Sequence, residues 1–130
     1  MRNKKGFTLL EILIVLVILA VLAGLAVPAY ISAVEKQRKQ EAVSNLGAVR
    51  SSQQRYFATH NNYATIFNDL DFDPTLTMAG NVVHFTYAAP GTTSATAYTA
   101  VATRNATDRP GNVVAYTVTI NQDGVITSSF

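Results

Sequence analysis

Met1-Arg2-Asn3-Lys4-Lys5-Gly6-Phe7-Thr8-Leu9-Leu10-Glu11 opens the chain, and from Ile12 to Val34 no charged residue follows. Most of that run is Ile, Leu, Val or Ala. A helix needs roughly 20 apolar residues to cross a bilayer, so this run is long enough. An ordinary secretory signal would be cut after an apolar stretch of about 7–15 residues. Val21-Leu22-Ala23 could pass as such a site, but the apolar stretch continues to Val34 and Glu11 interrupts its beginning. A plain membrane anchor leaves Glu11 as an accident at the membrane edge. An acid at the centre of a membrane helix costs about 2.5–3.5 kcal/mol, and less near the interface.

A short basic leader ending in Gly6, then Phe7-Thr8-Leu9-Leu10-Glu11, then an unbroken apolar helix closely resembles the N-terminus of the type IV pilins. The resemblance implies cleavage between Gly6 and Phe7 by a prepilin peptidase and N-methylation of the new Phe7 amine. Gly6 suits an extended approach to a protease cleft, because it has no side chain to clash. The resemblance also implies a role for Glu11, whose carboxylate would pair with the N-terminal amine of a neighbouring subunit during assembly. An unpaired carboxylate in an apolar core is strongly penalised, and an opposite charge relieves the penalty. Glu11 also suits the positive end of the helix dipole.

The positive-inside rule is nearly balanced here, with Arg2, Lys4 and Lys5 before the span and Lys36, Arg38 and Lys39 after it. The resemblance implies a cytoplasmic N-terminus. It further implies a precursor in the bacterial inner membrane and a mature subunit in an extracellular pilus, or fimbrium.

The formal net charge is +2, but three of the ten basic residues lie in the first six positions. Without those six the count is 7 basic against 8 acidic. Beyond residue 60 only Arg104 and Arg109 face five Asp. The balance argues little for nucleic acid, and no nucleic-acid partner is expected. There is no Cys, which excludes disulfides and thiolate chemistry. Many pilins close their C-terminal region with a disulfide; here sheet pairing or a bound ion must do so.

Expected organisation is a leader at 1–6, a membrane and filament-core helix at 7–33, and a head at 34–130 that includes the amphipathic half of the helix. Ala42, Leu46, Val49, Gln53 and Tyr56 follow 3–4 spacing, as a core-facing stripe should. The helix, about 8–59, would be roughly 75–80 Å long at 1.5 Å per residue. Pro28 and Gly24 should kink or loosen it. His60-Asn61-Asn62 ends it. Candidate strands are Val82 to Tyr87, Ala97 to Thr103, Val113 to Ile120 and Val125 to Ser129, the last two joined by a turn at Asn121–Gly124. Val114, Tyr116, Val118 and Ile120 would share one face. Pro90-Gly91 and Pro110-Gly111 mark loops, and 91–99 reads as an exposed loop. The fold class is α+β, a pilin fold with one long helix against a three- to four-stranded antiparallel sheet.

Other chemistry is thinly supported. Asp69, Asp71 and Asp73 alternate and would share a strand face, making them weak candidates for Ca²⁺. A solvated acidic connector is the plainer reading. His60 and His84 are the only histidines, and no catalytic motif accompanies them. Asn105-Ala106-Thr107 is a glycosylation sequon. No enzyme activity and no cofactor are expected. The expected partners are copies of the chain in a helical polymer, the prepilin peptidase, the inner-membrane assembly machinery and, before assembly, the membrane itself. Rival readings are a type II secretion pseudopilin, a monomeric membrane-anchored binding protein, and a DNA-binding minor pilin resting on Arg104 and Arg109.

Overall fold

The computed structural model describes residues 6–76, 84–106 and 113–130. Helix α1 spans Leu9–His60, close to the expected range. The chain divides into two compact units, Met1–Lys36 and Gln37–Phe130, and α1 contributes to both.

In the first unit α1 is apolar all round. No periodic polar face exists for water and no single stripe exists for a core. Its large side chains are accordingly exposed, from Leu9 at 84% to Tyr30 at 70%. The helix continues unbroken through Gly24 and Pro28.

In the second unit the pattern becomes periodic. Ala42, Leu46, Val49 and Gln53 recur at 3–4 spacing and are all buried. The helix stops at Asn61, which takes a left-handed φ of 57°. Its N–H closes the last turn on the Phe57 carbonyl at 2.8 Å. Asn tolerates this conformation better than most residues, so it serves where Gly commonly does. A connector follows, with a 3-10 turn at Phe67–Asp69.

Four strands then form an antiparallel meander in the order β1-β2-β3-β4: β1 Phe85–Ser94, β2 Ala97–Arg104, β3 Thr117–Asn121 and β4 Ile126–Ser128. Phe85, Tyr87, Tyr98, Ala100, Ala102, Val118 and Ile120 point into the core that α1 covers with Leu46 and Val49.

The strand boundaries differ from the sequence reading in three places. Pro90-Gly91 does not end β1. The register shifts between Ala88 and Gly91, and the irregularity absorbs Pro90 on an edge strand, where no ladder N–H is required of it. The stretch 91–99, read as a loop, is therefore mostly hairpin, with a turn at Ala95-Thr96. β3 begins at Thr117 rather than Val113. Tyr116, Val118 and Ile120 are buried as expected, but Val114 lies before the strand and is 81% exposed. Val82 and Pro110-Gly111 lie outside the described residues.

The C-terminal hairpin is closed without a disulfide. Asn121 Oδ1 accepts the N–H groups of Asp123 and Val125, at 3.1 and 2.9 Å. Gly124 supplies the positive φ of 84° that the turn requires. Beyond β4 the Thr117 N–H donates to Ser129 Oγ at 2.9 Å, and the Ser129 N–H donates to the Thr117 carbonyl at 3.1 Å. Phe130 packs on Tyr116 with ring centres 4.7 Å apart and tilted by 59°, and carries Lys39 Nζ 5.4 Å from its ring centre. Side-chain contacts thus add to sheet pairing where an ion had been the other option.

Candidate functional site

Gly6, Phe7 and Glu11, the residues expected to serve cleavage and assembly, lie at the start of α1. Gly6, Phe7 and Thr8 precede the helix and are exposed. A Cβ placed on Gly6 would meet nothing within 4 Å, so no packing inside this chain requires glycine there. Phe7 is 76% exposed. The backbone on either side of the Gly6–Phe7 bond is open to an approaching protein.

Thr8 was missed in the sequence reading. Its Oγ1 accepts the Glu11 N–H at 3.2 Å, and its carbonyl accepts the Ile12 N–H at 3.3 Å. It is the N-cap of α1. The signal was present as Thr8-x-x-Glu11, the spacing of a capping box. One motif therefore does two things: Thr8 fixes where the helix starts, and Glu11 sits in the first turn at its positive end. Glu11 is exposed.

The stretch that follows has a mean hydropathy of 3.0 over its most apolar 18 residues, and none of that window is buried. By length and composition it can cross a membrane. In water an apolar surface this large and this exposed is costly, at about 25 cal/mol per Å².

The acidic connector does not behave as a strand. Asp69 ends the 3-10 turn. Asp71 is clamped by Arg55, with Nε donating to Oδ2 at 2.6 Å and Nη2 to Oδ1 at 2.7 Å, and Ser52 Oγ donates to the same Oδ1. These hydrogen bonds, Arg55 first and Ser52 second, lower its pKa to about 2. Asp73 accepts from the Thr75 N–H at 2.8 Å and from the Thr75 hydroxyl at 2.6 Å. The shared face proposed for Ca²⁺ does not form, because Asp69 lies in a 3-10 turn, Asp71 is drawn to Arg55 and Ser52, and Asp73 is drawn to Thr75. Among the described residues no three His, Asp or Glu side chains gather to hold a metal. Ser52, Arg55, Tyr56, His60, Asp69 and Asp71 line a groove of about 220 Å³. His60 stacks on Tyr56 at 4.0 Å in that groove, while His84 lies before β1.

Arg104 corrects another expectation. It was weighed as half of a surface basic patch, but it is 2% exposed. Its Nη1 donates to the His84 carbonyl at 2.8 Å, and its guanidinium lies 5.7 Å from the Phe85 ring centre. An inward position in β2 dictates this, since the strand alternates and Arg104 falls in phase with Ala100 and Ala102. Arg109 lies outside the described residues. Asn105 is half-buried with its N–H bonded to the His84 carbonyl at 2.8 Å; Thr107 of its sequon is also outside.

Comparison with known proteins bears on both ends of this description. The prokaryotic N-terminal methylation motif matches residues 1–27. The family described as type IV minor pilin ComP, DNA uptake sequence receptor, matches residues 28–112, more than half of the chain. The chain belongs to this type IV pilin family. The type IV major pilin protein PilA of Myxococcus xanthus (strain DK1622) is 34% identical over 70 residues, which is 54% of this chain and 32% of that protein. The chain thus spans about a third of the length of the curated relative it matches. No solved structure matches. Membership in a pilin family points to a structural subunit.

Proposed function

We propose that the chain is a structural subunit of a type IV pilus filament. The observation that carries this reading is the helix start. A capped, methylation-motif N-terminus leads into an apolar helix surface that is exposed among the described residues. A prepilin peptidase would cut between Gly6 and Phe7, and the Phe7 amine would be methylated. Residues 7–33 would hold the precursor in the inner membrane and then bury against copies of themselves, with Glu11 pairing to a neighbour's amine. Gly24 and Pro28 would let the helix loosen on that transfer, since Pro28 lacks one backbone donor. Residues 34–130 would then form the outer wall, serving adhesion, motility or a related surface task.

Intact mass and N-terminal sequencing of surface-sheared filaments test this. The expected chain begins at methylated Phe7. A chain beginning at Met1 and confined to membranes would leave an anchored monomer instead.

A second reading, DNA reception, is favoured by the family description. Two of the head's cations are already committed, Arg104 to the core and Arg55 to Asp71. A DNA contact would therefore draw on other cations of the head. Retention of duplex DNA by purified filaments across a salt series is the check. Binding that weakens steeply with salt supports it, because phosphate contacts release counterions. No retention at low salt removes it.

A further inference from the structure

We propose that Arg50, Tyr98 and the β3–β4 turn form a site on the head for a phosphate group. Arg50 lies in the last third of α1 and is half-buried. Its Nε donates to the Gln122 carbonyl at 3.3 Å. Among the described residues this is its one hydrogen bond, and no carboxylate pairs with it. A guanidinium carries five N–H donors, so most of its capacity is unused. Among the described residues the head therefore holds a partly desolvated cation with no carboxylate against it.

Tyr98 supplies an independent observation. It is 1% exposed, and its hydroxyl has no hydrogen-bond partner. A buried hydroxyl without a partner is costly and rare. The two groups share one end of the sheet. The register Thr99↔Asn121 places Tyr98 beside Gln122, the residue that Arg50 holds. Tyr63 packs edge-on to Tyr98 at 4.8 Å and covers its ring.

The turn shapes the site and does not compete for it. A Cβ on Gly124 would come within 3.0 Å of Arg50 Cζ and Nε, so the guanidinium lies directly on the glycine. The turn's charge, Asp123, is engaged by Gln122 Nε2 at 3.0 Å. The N–H groups of Asp123, Gly124 and Val125 all bond to Asn121.

The chemistry that satisfies both groups is a tetrahedral oxyanion. A guanidinium fork takes two oxygens side by side. A carboxylate would have to share with the phenol an oxygen already held by the fork, whereas a phosphate offers a third oxygen of its own. Burial pushes the Tyr98 pKa up to about 12, so the phenol stays a donor at neutral pH. Free phosphate and a phosphodiester share this chemistry.

The test uses the full chain in detergent micelles, with ¹H–¹⁵N spectra during titration with inorganic phosphate at constant ionic strength. Saturable shifts are expected at Arg50 Nε–H and at the amides of Tyr98, Gln122 and Gly124. Arg50→Gln should abolish them. Tyr98→Phe, which removes an unpartnered hydroxyl and leaves the ring in place, should weaken binding several-fold with the spectrum otherwise intact. Absence of saturation, an equal response to chloride, or an unchanged response in Arg50→Gln would each overturn the proposal. A short DNA duplex distinguishes the sources. Displacement of phosphate by duplex assigns a phosphodiester, and persistence of bound phosphate assigns the free ion. DNA binding that moves other amides only, with no phosphate response, would sink this site and leave the DNA reading of the protein standing.

Discussion

The two halves of α1 have the same backbone and opposite relations to their surroundings. From Leu9 to Tyr30 every large apolar side chain is exposed, and none of the most apolar window is buried. From Ala42 onward one stripe is fully buried, and the faces beside it are polar. Hydrophobic content alone does not separate a core from an interface. Periodicity does: a helix that is apolar in one stripe completes its own head, and one that is apolar all round needs lipid or other helices.

The contrast is broken most forcefully by two matched truncations. Leu46→Ala removes a core side chain that is 1% exposed. It should destabilise the head by about 2–5 kcal/mol. Leu16→Ala removes a side chain of the same chemistry that is 61% exposed. It should leave the head's unfolding midpoint unchanged, within about 0.5 kcal/mol. Denaturant melts of both in micelles decide the matter. A comparable loss from Leu16→Ala would mean that the apolar half is part of the head's core.

Gln53 sharpens the same comparison from the buried side. The sequence placed it correctly on the core stripe, but its role is polar. Nε2 donates to the Ala64 carbonyl at 2.8 Å, and the Ala64 N–H donates to Oε1 at 2.9 Å. The side-chain amide pairs with the connector as a strand would. Gln53→Ala leaves both Ala64 groups unpaired in a buried place and should cost about 1–3 kcal/mol. Gln53→Leu refills the volume without the bonds. It should therefore recover little of the loss, and full recovery would assign Gln53 to packing alone.

What was legible in the sequence follows the same division. Long periodic or long apolar stretches announced themselves, so α1, its buried stripe and the Asn121–Gly124 turn were found. Short-range punctuation misled where tertiary context overrode it. Pro90-Gly91 is a turn signal in isolation, but an edge strand with a register shift accommodates it. Arg104 looks like a surface cation by type and is drawn inward by strand alternation and a backbone carbonyl. The three aspartates alternate on paper, yet Arg55 and Ser52 reach Asp71 from α1, which no local pattern encodes. At the N-terminus the methylation motif was readable because it is contiguous; the Thr8 cap was readable too, from Thr8-x-x-Glu11.

Thr8→Ala comes next in size. The large side chains of the first turn, Leu9, Leu10 and Ile12, are exposed, so its cap should matter about as much as in an isolated helix, roughly 0.5–2 kcal/mol. Amide exchange at Leu9 to Ile12 should accelerate by about the corresponding factor, while exchange in β2 and β3 stays unchanged. Equal exchange in the two proteins would mean that the environment of the apolar half, and not Thr8, fixes where the helix starts.

The smallest effect is the most diagnostic for the connector. Asp71 and Arg55 are more than half exposed, so their pair adds little to global stability. Its sign is nevertheless fixed. The Asp71 pKa is lowered to about 2 from 3.8, so its contribution is present above about pH 4 and is lost as pH falls toward 2. Asp71→Asn should flatten that part of the acid stability curve while leaving the neutral-pH midpoint nearly unchanged. The loss should be local, seen as faster exchange in the connector beyond Phe67, because Ala64 remains tied to Gln53 when the Asp71 clamp opens. If the acid limb of the variant instead coincides with that of the original chain, the clamp has no part in holding the connector, and the Gln53 pairing alone secures it to the helix.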